Sequence, residues 1–534
     1  MRSVRASAVL CSQEWDSRYA TAEGDLPVSR GIAERFGSMS SWEGVDLDRC
    51  AGVMLGLAAG DALGAGYEFG SPPTGEAVMK SGGLGSWDPG EWTDDTQLAI
   101  CIAEETAGGG ADPAEIGERF LDWYRSGPAD VGNQTRSALA RARDGGELSG
   151  VASSLFMANP RSSAGNGSLM RTAPVALAGL GNDSEIVRLA TTVSALTHAD
   201  PLAGEACALW CIGVDRAIRF GTLRGVWDGL EHLPAEHQGY WQARLEEVEN
   251  GPPSRFDHNG FVVTAFQAAL AAIWHTPVPE VEPCRHLQHA LHAAVRIGND
   301  TDTVAAITGS LLGARWGASA VPAEWRSILH GKPGIYGRPD YTSRDLVRLA
   351  VMSARRGSAD GAGWPDAQDL TPYYERHWPG SPCVRELAED PGVALANVFG
   401  VSVAKADVTV SLCRMGRGQL DERTHPLRVE MSLLDEVDPA KNPNLEFVFH
   451  DLAKSIVRWR DEGKTVLVHC VQAERRTPAV GAAYLAERKG LPGKVALETV
   501  CAQLPSARVN PAFAEALGNV WPGGRATATR AGLL

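Results

Sequence analysis

The chain has no Cys-x-x-Cys pair and no repeated cysteine spacing. Its ten cysteines are scattered, so neither a disulfide framework nor a zinc ribbon is expected. Cys207 and Cys211, four apart on a predicted helix with apolar neighbours, read as core packing. No run approaches the roughly 18 apolar residues of a membrane span, and the first twenty residues hold no apolar stretch of signal-peptide length. These absences lead to the expectation of reduced thiols and a cytoplasmic protein. Acidic residues outnumber basic ones, 65 to 50. The formal charge of −15 argues against a general nucleic-acid or membrane-surface partner, whose binding faces are basic.

With 534 residues, 44% of them hydrophobic and 22% charged, the chain should fold as two or more globular domains. Residues 1–40 are polar and aperiodic and read as a disordered extension. From 46 to 355 the pattern is helix after helix, with apolar residues at three- and four-residue steps and no sustained period of two. This predicts an all-α domain. Residues 356–389 open with a Gly-, Asp- and Pro-containing stretch and read as a linker. Beyond it, VTVSLCRMG (408–416), HPLRVEMSLLD (425–435) and KTVLVHC (464–470) are short apolar or β-branched runs alternating with helical stretches. That alternation predicts an α/β domain over 390–520 with a largely parallel sheet.

Two acidic clusters stand out in the helical domain, EWTDDTQLAI (91–100) and GNDTDTVAAITGSLLGARWG (298–317). Asp and Thr at a helix start are ordinarily caps. Adjacent carboxylates repel, however, and both clusters open helices of small apolar residues. Buried carboxylates need a partner or a metal, and a concentration of oxygen ligands suits a hard divalent cation. Asn- and Gly-rich loops lie between the clusters, ADVGNQT (129–135) and SAGNGSLMRTAP (163–174). Glycines in such loops let backbone N–H groups approach an anion.

Six motifs in order, GLAAGDALGAGYEFG, EWTDDTQ, DVGNQT, GNGSLMRTAPVAL, LTHAD and GNDTDTVAAITGSLLGA, make residues 46–355 resemble the ADP-ribosylglycohydrolase family. The resemblance implies an all-α fold and two Mg2+ or Mn2+ ions held by Thr93, Asp94, Asp95, Asp300, Asp302 and Thr303. It places Glu68 as an acid/base or gating carboxylate. Gly132, Asn133, Gly165, Asn166, Gly167, Ser168 and His198 would line the substrate cleft. Arg171 would reach a phosphate or brace its loop through a buried carboxylate. The implied substrate is an ADP-ribosylated protein or a small ADP-ribosyl compound.

In the second domain, HCVQAERRT (469–477) follows a predicted strand and opens a predicted helix. A helix N-terminus lowers a thiol's pKa, and Arg offers a bidentate fork for phosphate. The region resembles the cysteine-dependent dual-specificity phosphatases, which implies Cys470 as nucleophile, Arg476 as phosphate ligand and Asp435, or failing it Asp438, as general acid. A phosphorylated substrate is the implied partner. The sequence departs from that pattern at Ala473, where the family usually has Gly, and at the following Glu474. The alternative to two hydrolytic centres is a binding protein for ADP-ribose and phosphate with one or both centres inactive.

Overall fold

The computed structural model describes residues 46–333 and 338–523; the 1–40 extension lies outside them. Helices fill the first part of the chain. α1 (Leu47–Ala65) is capped by Asp46, whose carboxylate accepts from the N–H groups of Asp48 and Arg49. From Cys50 to Ala65 it is buried on every side, as expected of a helix with almost no polar face. Three further helices matter for the site: α2 (Asp94–Ala107), α3 (Thr301–Trp316) and α4 (Ser343–Ala354).

α1 and α3 cross at backbone contact. Gly52, Gly56, Gly60 and Gly64 recur at four-residue steps on α1 and so share one face. They meet Gly313, Gly309, Ala305 and Asp302 of α3. A Cβ on Gly60 would lie 2.0 Å from the Ala305 carbonyl oxygen, and one on Gly309 would lie 2.0 Å from that of Gly56. Thr301 Oγ1 donates to the Gly64 carbonyl at 2.9 Å and closes the lower end of the contact.

The second part of the chain is an α/β layer structure. Strands β1 (Val384–Leu387), β2 (Asp390–Asn397), β3 (Val408–Ser411), β4 (Leu427–Glu430) and β5 (Val466–Cys470) form one sheet in the order β1-β2-β5-β3-β4. β1 pairs antiparallel with β2, and every other pairing is parallel. β3 and β5 are buried along their whole length, as parallel central strands are. Helices α5 (Leu445–Asp461) and α6 (Arg476–Lys489) pack against the sheet and each other. The three predicted runs do contain β3, β4 and β5. The stretch read as a linker contains a helix, Thr371–His377, and β1 itself.

The two parts are tied by specific polar contacts. Asn444 Nδ2 donates to the Trp316 carbonyl at 2.6 Å, the Ala323 N–H donates to Asp451 Oδ2 at 2.7 Å, and Arg344 pairs with Glu430.

The glycine contact predicts that Gly60→Ala destabilises by about 1–3 kcal/mol, the scale of overpacking. Gly75→Ala, where a Cβ meets nothing within 4 Å, should be near neutral. Paired thermal melts of the two variants test this; equal melting temperatures would contradict it.

Candidate functional site

The acidic clusters meet at the N-termini of α2 and α3. Thr93 caps α2, its Oγ1 accepting from the Asp95 N–H, and Asp300 occupies the cap position of α3. Thr93, Asp94, Asp95, Asp302 and Thr303 are all buried. Asp61 of α1 holds the start of α2. Its carboxylate accepts from the N–H groups of Thr93 and Thr96 and, at 2.5 Å, from Thr96 Oγ1. Glu68 sits in the turn after α1. That turn is fastened to the second cluster because the Phe69 N–H donates to the Asn299 carbonyl at 2.7 Å. Phe69 and Asn299 both have positive φ, 48° and 59°, a conformation that costs energy in non-glycine residues. The result places carboxylate oxygens of Glu68, Asp300 and Asp302 within 4.8 Å of one another.

Burial and mutual repulsion dominate the electrostatics. Desolvation first, then Asp300 and Asp130, push the Glu68 carboxyl up to about 8. Asp94, Asp95 and Asp302 are raised well above the carboxylate range by burial and then by neighbouring carboxylates. Asp300 is raised by burial, against a hydrogen bond from Asn166 Nδ2 at 2.7 Å. Asp61 stands at about 6, raised by desolvation and opposed by its Thr96 and Thr93 hydrogen bonds. Glu68 Oε2 and Asp95 Oδ1 are buried without a hydrogen-bond partner among the described residues. Sequence reasoning passed over three members of this network, Asp61, Asp130 and Asn259. Asn259 Oδ1 accepts from the Asp300 N–H at 3.1 Å. A usable signal existed for Asp61 alone, as a carboxylate inside an otherwise apolar, glycine-striped helix.

The glycine loop has a different use from the one its composition indicates. The Gly165 N–H donates to Gln134 Oε1 at 3.2 Å, and the Asn166 N–H to the Gly260 carbonyl at 3.2 Å. Those two donors are not available to an anion. Gly165 and Gly167 lie instead on the buried His198 ring, where a Cβ on Gly167 would fall 3.1 Å from Cε1. Burial, then Arg171, holds His198 well below its usual range and so neutral. Ser168 is buried, with its hydroxyl against Ser194 Oγ at 2.9 Å and Cys207 Sγ at 3.6 Å. Arg171 is fully buried; its Nη2 donates to Thr197 Oγ1 at 2.7 Å and its guanidinium lies 4.3 Å from the Phe120 ring centroid. It braces the loop through a hydroxyl and a ring rather than a carboxylate. Gly132 and Asn133 open the short helix Asn133–Leu139 and are exposed.

A second constellation lies at the C-terminal end of β5. Cys470, Arg476 and Asp435 line one cavity of about 240 Å3 together with Gln472, Glu474, Arg475 and Trp378. Arg476 Nη1 donates to the carbonyls of Leu412 at 2.9 Å and Leu433 at 3.0 Å, which anchors the guanidinium from behind. Its Nε is buried and has no hydrogen-bond partner among the described residues. Ala473 has φ 59°, the left-handed conformation that a glycine adopts at less cost. Glu474 faces the cavity. Asp435 Oδ1 is 3.4 Å from Arg475 Nη1, whereas Asp438 is occupied in capping the turn at Ala440. His469, pushed down to about 3 by burial, is neutral and bonded to Ser411 Oγ at 2.7 Å.

The family model described as ADP-ribosylglycohydrolase matches residues 43–358. The chain belongs to the ADP-ribosylglycohydrolase family. It is 30% identical over 294 residues to the ADP-ribosyl-(dinitrogen reductase) glycohydrolase of Rhodospirillum rubrum, covering 53% of this chain and 91% of that one. It is 32% identical over 296 residues to the ADP-ribosylarginine hydrolase Tri1 of Pseudomonas putida, covering 52% of this chain and 73% of that one. Among solved structures, an ADP-ribosylglycohydrolase-related protein complex matches at 29% identity over 58% of this chain and 99% of that chain, TM-score 0.45. Human DUSP28 matches at 21% identity over 27% of this chain and 97% of its own, TM-score 0.23.

In this member of the ADP-ribosylglycohydrolase family the donors at the carboxylate cluster are oxygens only. Two buried carboxylate oxygens are orphaned, and adjacent acids are held protonated or repelling. Those features fit divalent hard cations, which would replace the protons. The metal-free protein should therefore gain stability as pH falls. A carboxyl whose folded pKa is raised stabilises the fold at low pH and loses that contribution as pH rises through its folded value. The windows run from the ordinary carboxylate range up to about 6 for Asp61 and about 8 for Glu68. In chelator, the melting temperature should fall between pH 5 and pH 8, and saturating Mg2+ or Mn2+ should flatten that fall. A metal-free melting temperature that rises over this interval would contradict the reading.

Proposed function

We propose that the chain is a metal-dependent hydrolase that releases ADP-ribose from an ADP-ribosylated protein or small ADP-ribosyl compound. The observation that carries the proposal is the convergence of buried carboxylates with orphaned oxygens in a member of this family. Two divalent cations, Mg2+ or Mn2+, would be held by Thr93, Asp94, Asp95, Asp300, Asp302 and Thr303, and when bound supply Lewis-acid polarisation of ribose hydroxyls and of a water. Asn166 and Asn259 orient Asp300 by hydrogen bonds to its side chain and N–H. Glu68 holds the proton at the scissile bond. Cleavage of a glycosidic bond develops positive charge on the sugar, which the surrounding carboxylates stabilise. Relatives named for arginine-linked ADP-ribose make that linkage the first substrate to assay.

The second domain is proposed as a thiol-dependent phosphatase. The Cys470 thiolate attacks phosphorus and forms an S–P bond as the P–O bond breaks. Asp435 gives its proton to the departing oxygen, and water then hydrolyses the thiophosphate. Arg476, steadied by two backbone carbonyls, faces the phosphoryl oxygens.

ADP-ribose release from arginine-linked and serine-linked substrates, with and without metal, tests the first activity. Asp302→Ala should lower it by on the order of a hundredfold or more, as for loss of one electrostatic contact at a reacting centre. No release from any linkage would leave the binding-protein alternative in its place. For the second activity, para-nitrophenyl phosphate hydrolysis should vanish in Cys470→Ser; hydrolysis that survives refutes the thiolate mechanism. Glu474→Gln should tighten inorganic phosphate by about fivefold, equivalent to about 1 kcal/mol of relieved repulsion at a half-exposed site.

A further inference from the structure

A second cavity, of about 760 Å3, lies where the helical and α/β parts meet. Its walls come from the helix Ala323–Ile328, from α4, from the segment carrying Trp364 and Pro365, and from the chain between Met415 and Glu430. Neither the carboxylate cluster nor Cys470 lines it. Its size is that of a site for a nucleotide-sized ligand.

The lining is rich in guanidinium groups, and its carboxylates are already engaged. Glu430 pairs with Arg344, and Asp340 with Lys332 Nζ at 2.6 Å. Asp345 accepts from the Thr342 N–H and hydroxyl at the start of α4, and Glu422 lies 3.7 Å from Arg428. Three arginines remain less well compensated. Arg326 is 6% exposed and its Nε has no hydrogen-bond partner among the described residues; burial lowers its pKa against the attraction of Asp48, Glu430 and Asp451. Arg348 Nε is likewise buried and unpartnered. Arg348 and Arg417 approach the single carboxylate of Asp366 at 3.5 and 3.4 Å. Two guanidinium groups sharing one carboxylate, and buried N–H donors left without acceptors, are relieved by an anion with several oxygens. Tyr341 and Trp364 add aromatic surface to the same walls.

We propose that this cavity binds a nucleoside diphosphate, with its phosphates on Arg326, Arg348 and Arg417 and its base against Tyr341 and Trp364. Because the walls belong to both parts of the chain, the bound ligand braces one against the other. The site is independent of the two hydrolytic readings above.

Photolabelling of the full-length protein with 8-azido-ADP tests the proposal. Label should appear on peptides carrying Tyr341 or Trp364, and excess ADP should remove it. The double variant Arg348→Ser, Arg417→Ser should lose that label and weaken ADP binding at this site at least tenfold. Its ADP-ribose release, measured without ADP, should match the unsubstituted protein. Label confined to the segments around Asn133, Asn166 or Cys470, or undiminished in the double variant, would overturn the proposal. Inorganic pyrophosphate binding as tightly as ADP would overturn the nucleoside assignment, since the aromatic walls would then contribute nothing.

Discussion

The contact between α1 and α3 is the constraint on which the helical domain's chemistry rests. Glycines at four-residue steps let the two backbones touch, with carbonyl oxygens where side chains would otherwise stand. Nothing larger permits that approach. It brings Asp61 on one helix and Asp302 on the other into the same buried volume, and Asp61 in turn receives the N-terminus of α2. One steric fact therefore sets the position of both acidic clusters. The turn holding Glu68 follows, since it is the continuation of α1 and is fastened at Phe69 to Asn299.

That arrangement stores repulsion. Carboxylates are buried beside one another, and their pKa values rise because the fold does not let them separate or hydrate. Helix N-termini offset part of the charge, and Asp300 gains hydrogen-bond support from Asn166 and Asn259. Among the described residues, the one cation whose attraction reaches the cluster is Arg171, toward Asp94. Perturbed carboxylates gathered in this way are a mark of functional sites. The second constellation is assembled by other means. A central parallel strand carries Cys470 at its C-terminal end, a helix start faces it, and Arg476 is pinned by the carbonyls of Leu412 and Leu433 in the segments that follow β3 and β4. Its loop accepts the cost of a left-handed alanine.

Much of this was legible along the chain, for a local reason. Periods of about 3.6 and of two residues separate the helical part from β3, β4 and β5. The Thr-Asp-Asp and Asp-Thr-Asp-Thr clusters and the His-Cys…Arg spacing each lie within a few residues, so local sequence carries them whole. β1 and the helix Thr371–His377 were not legible, because the stretch holding them is polar and turn-rich, and β1 becomes a strand by pairing with β2.

By itself, then, the amino-acid sequence determined the family, the two classes of domain and the chemical types of the principal donors, all of which are written in short contiguous patterns. Only the tertiary structure decided which groups face one another. It recruited Asp61, Asp130 and Asn259, spent the Gly165 and Asn166 amides on Gln134 and Gly260, turned Ser168 into the core and gave Arg476 its two carbonyl anchors. Each of those choices is a pairing between residues distant along the chain. Such a pairing depends on helix crossing and strand order, and leaves no periodic trace in either partner's neighbourhood.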